Sequence, residues 1–206
     1  MRPWRLMVVT ILLWWADAAS GAGVSLDAVV ARLALTVPSQ THAFCEIRDS
    51  GLLSEPVKLH GELTVFRDGR FLKRTHHPDG REAVVRVHGD TVTIDSANDE
   101  RTFSLARSPS LAAVVQALRA LALGETAALR VGFDVAVTGD TDAWRIQLER
   151  PDQLPGGTVD PGPSGDVVRV TLAGHGSRLV RITLARQGQR TILELERAGS
   201  DRDDCV

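Results

Sequence analysis

The sequence contains no tyrosine, and aromatic residues make up only 4% of its 206 residues. Stacking of bases on aromatic side chains is a main source of affinity for single-stranded nucleic acid, so this kind of binding is not expected. The formal net charge is -2, which leaves no excess of positive charge to neutralise phosphates. Lysine is scarce as well, since only Lys58 and Lys73 occur among 24 basic residues. The composition therefore argues against a dedicated nucleic-acid-binding protein.

The sequence also lacks the short motifs that carry common chemistries. It has no Gly-x-Ser-x-Gly, no phosphate-binding loop, no His-Glu-x-x-His and no Cys-x-x-Cys. His76 and His77 are adjacent, but neighbouring side chains on a strand point to opposite faces and make a poor metal site. Gly174-His175-Gly176 is typical of a tight turn, and the acidic tail at 201–204 lacks the glycine and spaced glutamate of a calcium loop. We therefore expect a protein that is not an enzyme and that uses neither a cofactor nor a metal.

The sequence has no long hydrophobic run, and the apolar run near its N-terminus is short. Two arginines precede an apolar run of about eleven residues at 6–16, which suits a secretory signal but not the roughly 20 residues that cross a bilayer. Ala16-Asp17-Ala18 offers a cleavage site. No cysteine follows the run, which excludes lipid attachment there. We expect residues 1–18 to be a signal peptide and the mature protein to be exported and soluble; an uncleaved membrane anchor is the alternative.

Only two cysteines occur, Cys45 and Cys205. An even number in an oxidising compartment favours a disulfide. Closing so long a loop contributes up to about 5 kcal/mol in the chain-entropy model. The alternative is a buried Cys45 and a free Cys205 in the tail.

Most of the mature chain shows the two-residue alternation of β-strands, for example at 57–65. Turn pairs such as Asp68-Gly69 and Gly89-Asp90 separate the runs and predict an antiparallel meander. About eleven strands are predicted, near 43–49, 57–66, 70–76, 81–88, 91–95, 101–105, 132–138, 143–149, 167–173, 178–185 and 190–197. We expect one mainly β domain of the α+β type over 24–206, in which 151–166, with its four prolines and four glycines, is a flexible loop.

Two segments have helical spacing instead. Aliphatic residues recur every three or four positions over 26–37, with Ser25 as N-cap and Pro38 as stop. A second stripe begins after Pro109 and ends at Gly124. Both stripes are apolar, so we expect them to pack on a face of the sheet.

This order of elements, together with its motifs, resembles the periplasmic outer-membrane lipoprotein carriers of the LolA type. The motifs are Phe-Cys-Glu-Ile-Arg at 44–48, Gly-Glu-Leu-Thr-Val-Phe-Arg-Asp-Gly-Arg-Phe at 61–71 and Pro-Asp-Gly at 78–80. The hairpin at 84–94 also matches. The stretch 109–124 resembles a LolA-related branch that is often encoded beside genes for lipid or aryl-polyene biosynthesis.

The resemblance implies an unclosed antiparallel β-barrel of about eleven strands with a helical lid over an apolar cavity. It implies that the cavity shelters acyl chains of lipoproteins or related lipids while they cross the periplasm toward the outer membrane. An inner-membrane releasing complex and an outer-membrane receptor are the implied protein partners of a monomeric carrier. Because each CH₂ removed from water contributes about 0.8 kcal/mol, long chains need a large aliphatic surface.

The expected lining of this cavity combines the sheet and the lid. The sheet candidates are Leu63, Val65, Phe71, Val85 and Phe133, and the lid candidates are Leu111, Val114, Val115 and Leu118. Alternation shows which residues share a face of a strand, but not which face is concave.

One arginine is expected to control the lid. In the family, an arginine before the first hairpin turn hydrogen-bonds carbonyl groups of the lid and sets the balance between open and closed forms. Arg67 occupies the matching place, so the resemblance implies this lid-latch role for it. Asp68 replaces the proline that commonly follows, and the alternative is a solvated Arg67 beside Asp68.

Two other functional classes stay open at the level of the sequence. The first is a binding module for another hydrophobic cargo, such as an acyl or aryl-polyene lipid, in an envelope biosynthesis system. The second is a structural envelope protein with a filled core. Catalytic triads are assembled by the fold and leave no fixed spacing, so an acyl enzyme is a further, weaker alternative.

Overall fold

A computed structural model describes residues 23–50, 54–97, 99–150, 168–186 and 188–196. The expected signal peptide, the expected loop at 151–166 and Cys205 lie outside these residues. No helix in the described part of the chain is long and apolar enough to cross a membrane.

Eleven strands and three α-helices are found in these residues. The helices are α1 (Leu26–Leu33), α2 (Pro109–Leu123) and α3 (Thr126–Gly132), and a 3-10 turn at Leu105–Arg107 precedes α2. The strands are β1 (Ser39–Ser50), β2 (Val57–Phe66), β3 (Phe71–His76), β4 (Glu82–His88), β5 (Thr91–Ser96), β6 (Asp99–Ser104), β7 (Asp134–Gly139), β8 (Trp144–Glu149), β9 (Arg169–His175), β10 (Arg178–Arg186) and β11 (Gln189–Glu196). The strands predicted from the alternation are all confirmed, with ends that differ by a few residues.

All strands belong to one antiparallel sheet in the order β6-β5-β4-β3-β2-β1-β11-β10-β9-β8-β7. The chain therefore forms two meanders, β1–β6 and β7–β11, which are joined by the pairing of β1 with β11. In the described residues β6 and β7 are the two edges of the sheet, so it is not closed into a barrel. The mainly β, unclosed architecture expected from the sequence is confirmed.

The ends of α2 follow the sequence signals. Pro109 begins the helix, and Gly124 ends it with φ +75, the left-handed conformation that glycine adopts without strain. The Gly124 N–H donates to the carbonyl groups of Ala120 and Leu121. The helix is apolar nearly all round and is buried against the sheet, where it contacts β2 and β10.

The first helix is shorter than its apolar stripe suggests. Ser25 caps α1 as predicted, because its Oγ accepts a hydrogen bond from the Ala28 N–H at 3.2 Å. The helix ends at Leu33, however, and Val37 lies beyond it and is exposed. The Leu35 N–H donates to the Ala122 carbonyl instead of continuing α1. A tertiary hydrogen bond to the end of α2 thus stops the helix before Pro38.

One face of the sheet carries the core, and we refer to it as the inner face. The strand registers place Val65, Phe71 and Val87 side by side on it, followed by Val92 and Phe103. At the other end of the sheet, Trp144 pairs with Gly174, and a Cβ at Gly174 would overlap the indole ring. On this face α2 contacts β2 and β10, α3 contacts β7, and α1 packs on the other two helices, so the core lies between the sheet and the helices.

Candidate functional site

The apolar residues expected to line a cavity all belong to one cluster between the sheet and the helices. The strand registers place Leu63, Val65, Phe71 and Val85 on the inner face. Phe133 follows α3 and is buried. On α2, Val115 and Leu118 are buried, whereas Leu111 and Val114 are only partly buried. The structure therefore brings the predicted residues together, while their role in binding lipid stays a prediction.

The exposure of the inner face varies from strand to strand. On β8 and β9 and at one position of β10, aliphatic side chains are 0–1% exposed: Ile146, Leu148, Val170, Leu172 and Ile182. Leu179 and Leu184, on the same face of β10, are partly buried. On β2–β6, several apolar side chains of the same face are only partly buried, and so are two residues of α2. We call this set the exposed apolar half: Val65, Val85, Ile94, Phe103, Leu111 and Val114.

Three charged side chains interrupt the inner face beside the exposed apolar half. Glu46 and Arg48 lie on β1 and Lys73 on β3, and all three share the face of Leu63. The Lys73 ammonium donates to Glu46 Oε2 at 2.5 Å, and Arg48 Nε donates to Glu46 Oε1 at 2.8 Å. The exposed fraction is 3% for the Glu46 side chain, 21% for Lys73 and 49% for Arg48. We call these residues the inner-face charged cluster.

The aromatic ring of Phe44 completes the surroundings of Lys73. The Lys73 Nζ lies 5.0 Å from the centroid of this ring, within the range of a cation–π contact. Phe44 pairs with Gly61 across β1 and β2. A Cβ at Gly61 would overlap the backbone carbonyl of Arg74 on β3 and would also press against the Phe44 ring, so glycine leaves room for both.

The charges of this cluster set the protonation of its members. Burial raises the pKa of Glu46, but the charges and hydrogen bonds of Lys73 and Arg48 lower it by a larger amount. The pKa therefore lies below its usual value of 4.5. Burial lowers the pKa of Lys73 from 10.5, although the neighbouring carboxylate acts in the opposite direction. Glu46 is therefore ionised at neutral pH and is shared by two basic side chains.

Sequence reasoning missed this cluster because it counted polar residues on strands as facing the solvent. A signal was present: Lys73 occupies the same parity as Phe71 and Thr75 on β3, and both of these are buried. Glu46 likewise lies two residues after the buried Phe44 on β1 and therefore on the same face of the strand.

The expected latch residue lies at the surface. Arg67 is exposed after β2, and its backbone N–H donates to the Pro38 carbonyl at 2.9 Å. Asp68 forms its ion pair with Arg70 and not with Arg67. Among the described residues, the side-chain hydrogen bonds between α2 and the hairpin turns come from Arg119. The lid-latch role of Arg67 stays a prediction, and Arg119 is a second candidate.

The remaining candidates from the sequence are quickly placed. Cys45 is buried on β1, and its expected partner Cys205 lies outside the described residues, so the disulfide stays a prediction. His76 lies 5.4 Å from His60, ring to ring, on the face opposite to the core. In the described ranges, no three His, Cys, Asp or Glu side chains are placed to hold a metal ion.

Comparison with known proteins gives one family and several structures of similar fold. The family model described as outer membrane lipoprotein carrier protein LolA-like matches residues 18–202. The chain is similar to lipoprotein LppX from Mycobacterium tuberculosis, with 18% identity, a TM-score of 0.40 and coverage of 84% of this chain and 95% of that one. It is also similar to a LolA superfamily protein from Nitrosomonas europaea, with 9% identity, a TM-score of 0.44 and coverage of 84% and 92%. It is similar as well to LprF from Mycobacterium bovis, with 14% identity, a TM-score of 0.36 and coverage of 85% of this chain and 90% of that one. The search of curated proteins gives no match.

Proposed function

Because this chain belongs to the outer membrane lipoprotein carrier protein LolA-like family, we propose that it is a periplasmic carrier of acyl chains. It shelters the chains of lipoproteins or related lipids between the inner face of its sheet and α2 during transport toward the outer membrane. The observation that carries this proposal is the exposed apolar half, where Val85 and Ile94 of the sheet and Val114 of the helix are only partly buried.

Aliphatic side chains on this surface match the chemistry of the cargo. Burial of each CH₂ contributes about 0.8 kcal/mol, so a chain of about twelve carbons gains roughly 10 kcal/mol when it leaves water. No directional contact is needed for this gain, which allows cargoes with different head groups.

Entry of a long chain requires α2 to move away from the sheet. Val115 and Leu118 are buried at the helix–sheet contact, and Arg119 is bonded to two hairpin turns. The described arrangement therefore corresponds to a closed form. Cargo that binds only the open form shifts the population toward it by the difference in affinity between the two forms.

The proposal is tested by extraction of lipid from protein purified from the periplasm, followed by mass spectrometry. We expect acyl lipids in amounts close to one per protein, and binding of a fluorescent fatty acid after they are removed. Lipid-modified peptides among the bound species favour lipoprotein transport, whereas free acyl or polyene lipids favour envelope lipid biosynthesis. A protein without lipid that also fails to bind the fluorescent fatty acid contradicts the carrier function and favours a structural role.

The proposed compartment has its own test. N-terminal sequencing of the periplasmic protein is expected to begin close to residue 19, because Ala16-Asp17-Ala18 has the spacing of a signal-peptidase site. A periplasmic protein that begins at Met1 would contradict the cleavage. Gel filtration is expected to show a monomer.

A further inference from the structure

Lys73 lies on the inner face among residues of the exposed apolar half. It pairs with Leu63 on β2 and with Val85 on β4. Val85 and Ile94 continue the same row across the next two strands, a distance of about 10 Å. Its side chain is 21% exposed, as befits a surface that is only partly covered. Leu63 lies on the other side of Lys73 in this row, and Arg101, which is ion-paired with Asp99, follows Ile94 on β6. A chain that lies on Val85 and Ile94 therefore reaches the ammonium group of Lys73 at one end.

The charges around this group do not balance. Within the described residues of β1–β5 and β11, Glu46 is the only acidic side chain on the inner face. Its two carboxylate oxygens are occupied, one by Lys73 and the other by Arg48. Two cations therefore share one anion, which leaves a net positive charge on a mainly apolar surface.

Stability of the fold does not by itself require charged residues at these positions. Replacement of a buried ion pair by apolar residues of similar size is often neutral or stabilising, because the desolvation of both charges offsets their attraction. The inner face of β8–β10 shows that this sheet buries aliphatic residues such as Ile146 and Leu172 completely. A positive charge kept beside the apolar half indicates a ligand that carries a negative charge.

We propose that Lys73, held in place by Glu46 and Phe44 and assisted by Arg48, binds the anionic head group of an acyl lipid. The inference rests on the proposed carrier function and names its cargo class, lipids with a carboxylate or phosphate group. An oxygen of that group accepts a hydrogen bond from Lys73 Nζ, whose two remaining protons are not used by Glu46. Arg48 is half exposed and offers further donors to the same group. The acyl chain lies along Val85 and Ile94.

The experiment uses the mature protein freed of lipid and compares matched neutral and anionic probes. Dissociation constants are measured for a long-chain fluorescent fatty acid and its methyl ester, and for lysophosphatidylglycerol and monoacylglycerol of equal chain length. The variants are Lys73→Met, which keeps the length of the side chain, and Lys73→Arg, which keeps its charge. Lys58→Met is the matched control, because Lys58 is the other lysine of the chain and is exposed on the opposite face of β2.

We expect the wild type to bind an anionic probe at least about tenfold more tightly than its neutral partner, since hydrogen bonds to charged groups are the stronger ones. Lys73→Met removes this preference, because binding of the anionic probe weakens toward that of its neutral partner. Lys73→Arg retains the preference, and Lys58→Met has no effect. A preference confined to the fatty acid identifies the carboxylate as the head group, and one confined to the phospholipid identifies the phosphate.

Equal affinity of the wild type for both members of both pairs would overturn the head-group site and leave the carrier function intact. This comparison needs no variant, so a Lys73→Met protein that fails to fold does not prevent the test. A folded Lys73→Met protein that keeps the preference for anions also overturns the site. Failure of the wild type to bind any of the four probes contradicts the carrier function itself.

Discussion

Arg119 on α2 donates from Nε to the carbonyl oxygen of Gly69, 2.8 Å away, in the turn between β2 and β3. Its Nη2 also donates to the Gly89 carbonyl, at 2.5 Å, in the turn between β4 and β5. Both glycines have positive φ, so each turn presents its carbonyl without strain from a side chain. One side chain thus fastens the longest helix to two hairpins at the edge of the exposed apolar half.

We predict that Arg119 helps to set the balance between closed and open forms. Arg119→Leu removes two charge-assisted hydrogen bonds, each worth roughly 1.5–3 kcal/mol when it is shielded from water and less at this half-buried position. The open, loaded form gains population, so bound fatty acid is expected to leave several-fold more slowly. Release rates by stopped-flow fluorescence check this result.

Arg67→Leu is the matched comparison, because the sequence resemblance assigns the latch to Arg67 while the structure shows its side chain exposed. If Arg119 is the latch, Arg67→Leu changes the release rate by less than about twofold, as is typical of exposed arginines. If Arg67→Leu slows release and Arg119→Leu does not, the latch is Arg67 at the end of β2 and not Arg119 on α2.

Charge placed on α2 is predicted to have different effects at two neighbouring positions. Val114 is partly buried at the exposed apolar half, so Val114→Asp is expected to weaken fatty-acid binding more than tenfold while the protein stays folded. Val115 is 3% exposed, and Val115→Asp leaves an unpaired carboxylate in the core. We expect it to lower the free energy of unfolding by about 3 kcal/mol or more.

Val131→Asp is the control for both, because Val131 on α3 is 81% exposed. Urea unfolding and fluorescent fatty-acid titration of the three variants separate binding from stability. If Val114→Asp binds the fatty acid as the wild type does, α2 does not line the binding surface.

The contribution of Glu46 to stability is predicted to depend on pH. The pKa of Glu46 in the folded protein is lower than its usual value of 4.5, so the fold favours the ionised form. This stabilisation is present above pH 4.5 and is lost as the pH falls through the folded-state pKa. Glu46→Gln is expected to cost roughly 1–3 kcal/mol at pH 7, and the difference from wild type should shrink below about pH 4.5.

Urea unfolding of wild type and Glu46→Gln between pH 3 and 7 measures this difference. Glu100→Gln serves as a control, because Glu100 is exposed on the edge strand β6. A difference that stays constant over the whole range would mean that Glu46 acts through packing and not through its charge.

The disulfide between Cys45 and Cys205 is expected to stabilise the protein by restricting the unfolded chain. Cys45→Ser, Cys205→Ser and the double variant should therefore lose similar amounts of unfolding free energy, up to about 5 kcal/mol. Non-reducing peptide mapping of periplasmic protein gives the direct evidence. Two free thiols in that map, or additive effects of the single variants, would contradict the bond.

Strand positions were predictable because alternation of apolar and polar residues is a local property of a sheet with one covered face. The two ends of α2 were predictable for the same reason, since Pro109 and Gly124 act through their own backbone conformations. The end of α1 was not, because it depends on the hydrogen bond from Leu35 to Ala122, which lies far along the chain. The strand pairings place Leu63, Phe71 and Val85 on the same side of the sheet, while their role in binding lipid stays a prediction.

The sequence by itself determined the number of strands, the apolar stripe of α2 and the absence of recognisable catalytic motifs. Only the tertiary structure decided which residues of the inner face stay partly exposed, because this depends on how the helices pack on the sheet. It also decided that Lys73 lies on the inner face and meets Glu46, a residue 27 positions earlier in the chain. From the local sequence, a charged residue on a strand is predicted to face the solvent. Whether an oppositely charged residue of another strand pairs with it depends on the register of the strands, which the local sequence does not determine.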